Sequence, residues 1–280
     1  MGQTIRSRRL GSDLRQLRRR SNLTAEAVGD ELGFSQAKIS RIESGDVRVS
    51  RTDLKAMLVL YGVTDAQEVD AFVQAAKDAR SKGWWLAYED ALPREYRDFI
   101  ALEAGASSIR SFEGMIIPGL AQTADYMRHV ITAGPAVLPL GHVDSLIKVR
   151  VERQGILEGD HAPKLWMIVT EGALRQLVGG PAVMTEQLHH LGRLTERSNV
   201  TLQVLPFQAG AHAGVQSSFV VFDFPGADPS VACVANLTGT LFIDQPGQLD
   251  AFSGAFDNLR ASALSPADSL TLINRIRDEL

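Results

Sequence analysis

Apolar positions in the first eighty residues recur at helical spacing. Leu10, Leu14 and Leu17 fall at i, i+4 and i+7, which predicts an amphipathic helix. Its other face carries Arg15, Arg18, Arg19 and Arg20, and Ser21-Asn22 breaks the pattern. Leu23-Thr24 opens a second helix, where the Thr24 hydroxyl can cap and Glu26 suits the positive end of the dipole. Val28 and Leu32 face inward, and Gly33 fits the left-handed residue that closes a helix. Phe34 anchors the turn. Ser35 can cap a third helix reaching Ser44, with Ile39 and Ile42 buried and Gly45 ending it. Further helices are expected over about 51–61 (Leu54, Leu58, Tyr61) and 66–80 (Val69, Phe72, Ala76). Two short helices joined at a tight glycine turn form the arrangement that reads DNA.

Beyond residue 80 the pattern changes. Ser81-Lys82-Gly83 is expected to end the fifth helix. The cluster Trp84, Trp85 and Tyr88 follows, in a chain with three tryptophans. It suits a pocket lining, a partner contact or a linker fastened to a core. A helix is expected over 95–111, with Phe99, Leu102, Ala106 and Ile109 on one face. A turn over 116–123 feeds a helix over 124–131, and 134–141 reads as a loop. A strand at 165–170 precedes helices at 171–178 and 184–197. Val200, Leu202 and Val204 alternate with Thr201 and Gln203, a half-buried strand. Gly210 to Gly214 is expected as a hairpin loop. Strands at 219–224, 231–235 and 240–243 and helices at 249–263 and 266–278 close the chain. Strands in series favour an antiparallel or mixed sheet with helices on one face.

Composition narrows the class. At 280 residues and 45% hydrophobic, the chain can bury a core, which excludes disorder and suggests about two domains. The lone Cys233 excludes a disulfide scaffold and suits a reducing cytosol. The start lacks the apolar stretch of a secretory signal. The uncharged run 198–222 is broken by polar residues and Pro206, so no membrane span is expected and the protein is expected in the cytoplasm. Net charge is −4, but residues 1–60 carry +5 and the remainder −9. Such halves suggest a nucleic-acid module joined to a part that does not touch nucleic acid. The plain alternative is a solvated arginine-rich helix.

Motifs decide between these. Leu14-Arg15-Gln16-Leu17-Arg18, Leu23-Thr24, Leu32-Gly33, Ser35 and Ile39-Ser40-Arg41-Ile42-Glu43-x-Gly45 resemble the phage-repressor helix-turn-helix family (Cro-like, xenobiotic-response-element) over about residues 8–75. The resemblance places the third helix in the major groove. It implies that Ser35, Gln36, Ala37, Lys38, Ser40 and Arg41 face DNA, together with Thr24 at the start of the second helix. A glutamine amide pairs with N6 and N7 of adenine, an arginine fork with O6 and N7 of guanine, and Ala37 offers a methyl. The exposed start of the third helix presents amides to phosphate, and Lys38, Arg48 and Arg51 are candidate phosphate contacts. A solvated position is the plain alternative for Gln36 and Lys38, and stands more evenly against DNA contact for Arg48 and Arg51. The resemblance further implies an ion pair between Arg18 and Glu43 that locks the first helix to the third. The family often has glutamine after the threonine of the second helix. Here Ala25 stands there, and that backbone contact is lost.

A second resemblance covers about residues 84–275. Trp84-Trp85, Tyr96, Leu102-Glu103, Ile117-Pro118-Gly119-Leu120-x-Gln122-Thr123-x-x-Tyr126, Thr170-Glu171-Gly172-Ala173-Leu174 and Gly210-x-x-x-Gly214 are similar to a domain of unknown function. That domain is attached to Cro-like regulators in high-GC Gram-positive bacteria. The usual pattern has leucine where this chain has Ala121. The resemblance implies an antitoxin-like regulator encoded beside a small partner protein. The fold expected is α then α/β. A five-helix phage-repressor-like domain precedes a larger mixed α/β domain with a mostly antiparallel sheet and C-terminal helices. The boundaries are 1–80 for DNA binding, 81–105 for an aromatic linker helix region, and 106–280 for a sensing or partner-binding domain.

Catalysis has little support. None of His129, His142, His161, His189, His190 and His212 sits at metal spacing with a carboxylate or cysteine. His189 and His190 would point ~100° apart on a helix. Cys233 reads as a small buried hydrophobe. The chain has no G-x-S-x-G elbow and no P-loop, and 210–214 lacks the lysine and hydroxyl that hold phosphate. Neither enzyme activity, cofactor nor metal is expected. The reading is a DNA-binding regulator, a homodimer on a pseudo-palindromic operator in double-stranded DNA. Two alternatives stand: an antitoxin-like protein that mainly binds a neighbour-encoded small protein, and a metabolite receptor with DNA-binding output.

Overall fold

The computed structural model describes residues 5–78, 84–88, 92–134, 140–160, 162–226, 229–237 and 239–280. The expected helix stop at Ser81-Lys82-Gly83 lies outside the described residues, as do 89–91 of the linker region and 135–139 of the expected 134–141 loop. The chain divides into two compact units, Met1–Ala87 and Tyr88–Leu280.

The first unit contains α1 (Ile5–Arg20), α2 (Ala25–Leu32), α3 (Gln36–Glu43), α4 (Arg51–Leu60) and α5 (Ala66–Asp78). Its core is the apolar series itself: Leu10, Leu14, Val28, Ile39, Ile42, Leu54, Met57, Leu58, Val73 and Ala76 are all buried. Each large aliphatic side chain taken from water contributes roughly 1.5–3 kcal/mol before entropy is charged. Three helices start on hydroxyl caps: Thr24 accepts from Ala27 N, Ser35 from Lys38 N and Ser50 from Asp53 N. A Cβ on Gly11 would run into the backbone carbonyls of Ile42 and Glu43, so glycine lets α1 lie directly on the end of α3. A 3-10 turn over Trp84–Tyr88 holds Trp84 and Trp85 edge to face, 5.9 Å apart and both half-buried.

The second unit begins with α6 (Arg94–Glu103), β1 (Ser108–Glu113), α7 (Ala124–Thr132) and α8 (Leu140–Gln154). It continues with β2 (Lys164–Thr170), α9 (Glu171–Arg175), α10 (Pro181–Leu194), β3 (Val200–Leu205) and β4 (Phe219–Asp223). It ends with β5 (Val231–Asn236), β6 (Gly239–Ile243), α11 (Pro246–Ser262) and α12 (Pro266–Asp278). The strands form one mixed sheet in the order β3-β2-β1-β4-β5-β6. β1–β2 and β2–β3 are parallel, with Ile109 opposite Leu165 and Leu165 opposite Val200. β1–β4, β4–β5 and β5–β6 are antiparallel. Parallel neighbours need long crossovers, supplied here by α7 and α8, then by α9 and α10.

Four expectations change. The helix over 95–111 stops at Glu103, where Ala104-Gly105 turns the chain, and Ser108–Glu113 is the strand β1 instead. Ile109 satisfied the helical spacing by coincidence. Residues 210–214 are not a hairpin loop: β3 is an edge strand and β4 pairs with β1, so the connection passes the ends of β2 and β1. β3 is almost wholly buried rather than half-buried. Helices cover both sheet faces, not one. Phe256 of α11 packs on Trp166 of β2, while Phe99 of α6 packs on Phe222, which points to the opposite face from Phe219 and Val221.

Candidate nucleic-acid interface

α2, its turn and α3 place the candidate residues. Gly33 closes α2 in the left-handed conformation at φ 69°. Phe34 N then donates to Gly29 O at 2.7 Å, and Ser35 starts α3. α3 sorts its residues by angle. At ~100° per residue, Gln36, Ser40, Ala37 and Arg41 span one continuous arc of about 140°, and all four are exposed. Ile39, Ile42 and Glu43 lie on the buried side. Ser35 and Thr24 are also exposed, each engaged as a cap.

Arg41 donates from Nε to Ala37 O at 3.2 Å, and forms no ion pair among the described residues. This contact holds the stem along the helix and leaves the two terminal nitrogens free among the described residues. The side chains of Gln36 and Ser40 make no hydrogen bond among the described residues. Their amide and hydroxyl are unspent. Arg48 and Arg51 are exposed and unpaired among the described residues, Arg51 at the first position of α4.

Lys38 differs from its neighbours. Its Nζ lies 3.0 Å from Asp53 Oδ2 on α4 and 3.3 Å above the Phe34 ring. The ammonium is spent on bracing the turn against α4. Sequence reasoning missed Asp53 and Phe34 as its partners. The signal was thin, since Asp53 also occupies the first turn of a capped helix, where acids are common anyway.

Behind α3, Arg18 lays its guanidinium on Glu43, with Nε to Oε1 at 2.6 Å and NH2 to Oε2 at 2.9 Å. Its NH1 donates to Leu23 O at 2.7 Å, so one side chain touches α1, the α1–α2 link and α3. The hydrogen bond it donates to Glu43 holds Arg18 above the usual guanidinium range. The Tyr61 hydroxyl is buried nearby, without a hydrogen-bond partner among the described residues.

The second unit shows no comparable grouping for metal chemistry. Among the described residues, no three His, Cys, Asp or Glu side chains come together. Burial pushes the Cys233 thiol up, which suppresses the thiolate. Burial also pushes the Glu113 carboxyl up to about 7, against a hydrogen bond from Ser218. No described helix is long and apolar enough to cross a membrane.

A family model described as a helix-turn-helix domain matches residues 9–72. A second, described as a domain of unknown function (DUF5753), matches residues 96–275. No curated protein and no solved structure matches the chain.

Proposed function

The chain belongs to the DUF5753 family and carries a helix-turn-helix domain ahead of it, and on that premise we propose that it is a sequence-specific transcriptional regulator. The observation that carries the reading is the exposed arc of Gln36, Ala37, Ser40 and Arg41 on α3. Arg41 and Gln36 read base edges, Ser40 and Ala37 fill the arc, and Thr24, Ser35, Arg48 and Arg51 meet the sugar-phosphate backbone. Lys38 keeps the recognition turn in place and reaches phosphate only by leaving Asp53. The Arg18–Glu43 fork fixes α3 on α1. One such helix reads few base pairs. The working form is therefore a homodimer on a pseudo-palindromic operator, with half-sites about one helical turn, ~34 Å, apart or a multiple of it.

The second unit takes the partner or effector rather than catalysing a reaction. Met115 after β1, Phe207 after β3 and Val215 before β4 are all exposed in loops at one end of the sheet, and an apolar rim of this kind marks an interaction surface. A cytoplasmic setting fits DNA binding. Selection of bound fragments from sheared genomic DNA at two salt concentrations tests the reading. A salt-sensitive dyad motif is expected. No enrichment with the purified chain, nor with its neighbour-encoded protein added, overturns it.

A further inference from the structure

The two edges of the sheet are treated differently. At the β3 edge, Val204 N donates to Ser269 Oγ at 2.9 Å, and Val204 O accepts from Leu264 N at 2.9 Å. The link from α11 to α12 thus closes that edge. β6 forms the other edge, and no described strand pairs with its outer side. Natural sheets blunt open edges with charge, proline or bulges. β6 has none of these: Val231 to Ile243 holds no charged residue, in a chain that is 22% charged. Leu241 is 58% exposed on this strand and Leu237 is 87% exposed at its turn. A shallow groove runs beside the strand, lined by Leu241, Ile243, Asp244, Gln248, Ala251 and Phe252.

We propose that β6 is where two copies of this chain meet, edge to edge and antiparallel about a two-fold axis. The proposal rests on the dimeric operator reading above. An antiparallel self-pair about a two-fold at Leu241 sets Thr240 against Phe242 and Gly239 against Ile243 of the second copy, so no charge enters the pairing. Pairing Gly239–Ile243 over its full length puts Leu241 opposite Leu241 of the second copy. The nearest acid, Asp244, then sits at the outer corners, ~20 Å from its mate, beyond the screening length at physiological salt.

Sedimentation of the full chain without DNA tests this. The wild type is expected to be a dimer. Leu241→Lys and Leu241→Glu should each raise the dimer dissociation constant roughly 100-fold, from the two leucines lost and the like charges brought together. An equimolar mixture of the two variants should dimerise again, which neither a misfolded chain nor a different interface would do. A monomeric wild type, charged variants that dimerise like the wild type, or a mixture that stays monomeric overturns the assignment. Anisotropy on the selected operator separates the two readings. Specific binding by a chain that does not use β6 overturns the edge alone, and a β6 dimer blind to every sequence overturns the operator reading alone.

Discussion

Arg18 in the first unit and Arg153 in the second each fork onto a glutamate with the same two distances. Nε and NH2 lie 2.6 and 2.9 Å from Glu43 in one case, and 2.6 and 2.9 Å from Glu103 in the other. The surroundings differ. Arg18 spends its remaining contact on a backbone carbonyl, Leu23 O. Arg153 spends its on the Tyr96 hydroxyl at 2.6 Å, and stands over the rings of Tyr96 and Phe99. Side-chain exposure is 11% and 5% for the first pair but 7% and 2% for the second. Burial raises the Glu103 carboxyl even beside its arginine. Equal geometry therefore does not mean equal consequence. The deeper pair has less water to fall back on when one partner is removed.

That difference sets the largest expected effects. Glu103→Ala should destabilise the chain by ~3–5 kcal/mol, because Arg153 stays charged in a closed site. Glu43→Ala should cost nearer ~3 kcal/mol, since Arg18 can turn toward solvent past exposed Arg15 and Arg19. Hydrogen exchange on the full chain checks both by place. The first variant should loosen amides of α6 and α8, the second those of α1 and α3. An unchanged melting temperature for Glu43→Ala removes the lock. A larger loss at Glu43 than at Glu103 shows that depth does not rank the pairs.

Glu113 extends the comparison to a carboxyl with no cationic partner among the described residues. Its folded value of about 7 lies above the ordinary carboxyl value of 4.5. The folded state holds the proton more tightly. The stability this contributes is complete below pH 4.5 and lost as pH rises through 7, at ~1.4 kcal/mol per unit and ~3–4 kcal/mol in all. Wild-type melting should fall from pH 5 to pH 8, and Glu113→Gln should flatten that slope. A variant with the wild-type slope assigns it to another group.

The two forks also differ in how far they could be read from sequence. The Arg18–Glu43 pair came from a family motif. Nothing in the spacing joins Glu103 to Arg153, and the same pair hid α8. That helix buries Val143, Ile147 and Val149, but also Arg153, so its apolar stripe is interrupted and no helix was expected there. β1 was hidden because Ile109 fits both periods. The expected 210–214 hairpin failed because local sequence carries no record that β4 pairs with β1 rather than β3. The first unit was legible because caps, glycine and 3.6-residue spacing agree at each helix. The exposed arc on α3 follows from that spacing together with the resemblance. The engagement of Lys38 does not, because Asp53 is fifteen residues away on another helix.

Lys38 and Arg41 carry the comparison onto the DNA face, where the effects are smallest and most specific. Arg41→Ala should cost ~1–3 kcal/mol of operator binding and relax preference at one base pair, since a guanidinium fork reads an edge that alanine cannot. Lys38→Ala should cost less than ~1 kcal/mol and act alike on operator and random DNA, because its charge already faces Asp53. The discriminating variant is Asp53→Asn. It frees the ammonium without removing it, so nonspecific affinity should rise and the salt dependence should steepen by about one phosphate contact. A titration across salt on both DNAs measures this. If Asp53→Asn leaves the slope unchanged, Lys38 braces the turn and does not reach DNA; if Lys38→Ala alone flattens the slope by a full contact, the ammonium leaves Asp53 on binding and belongs with Arg48 and Arg51.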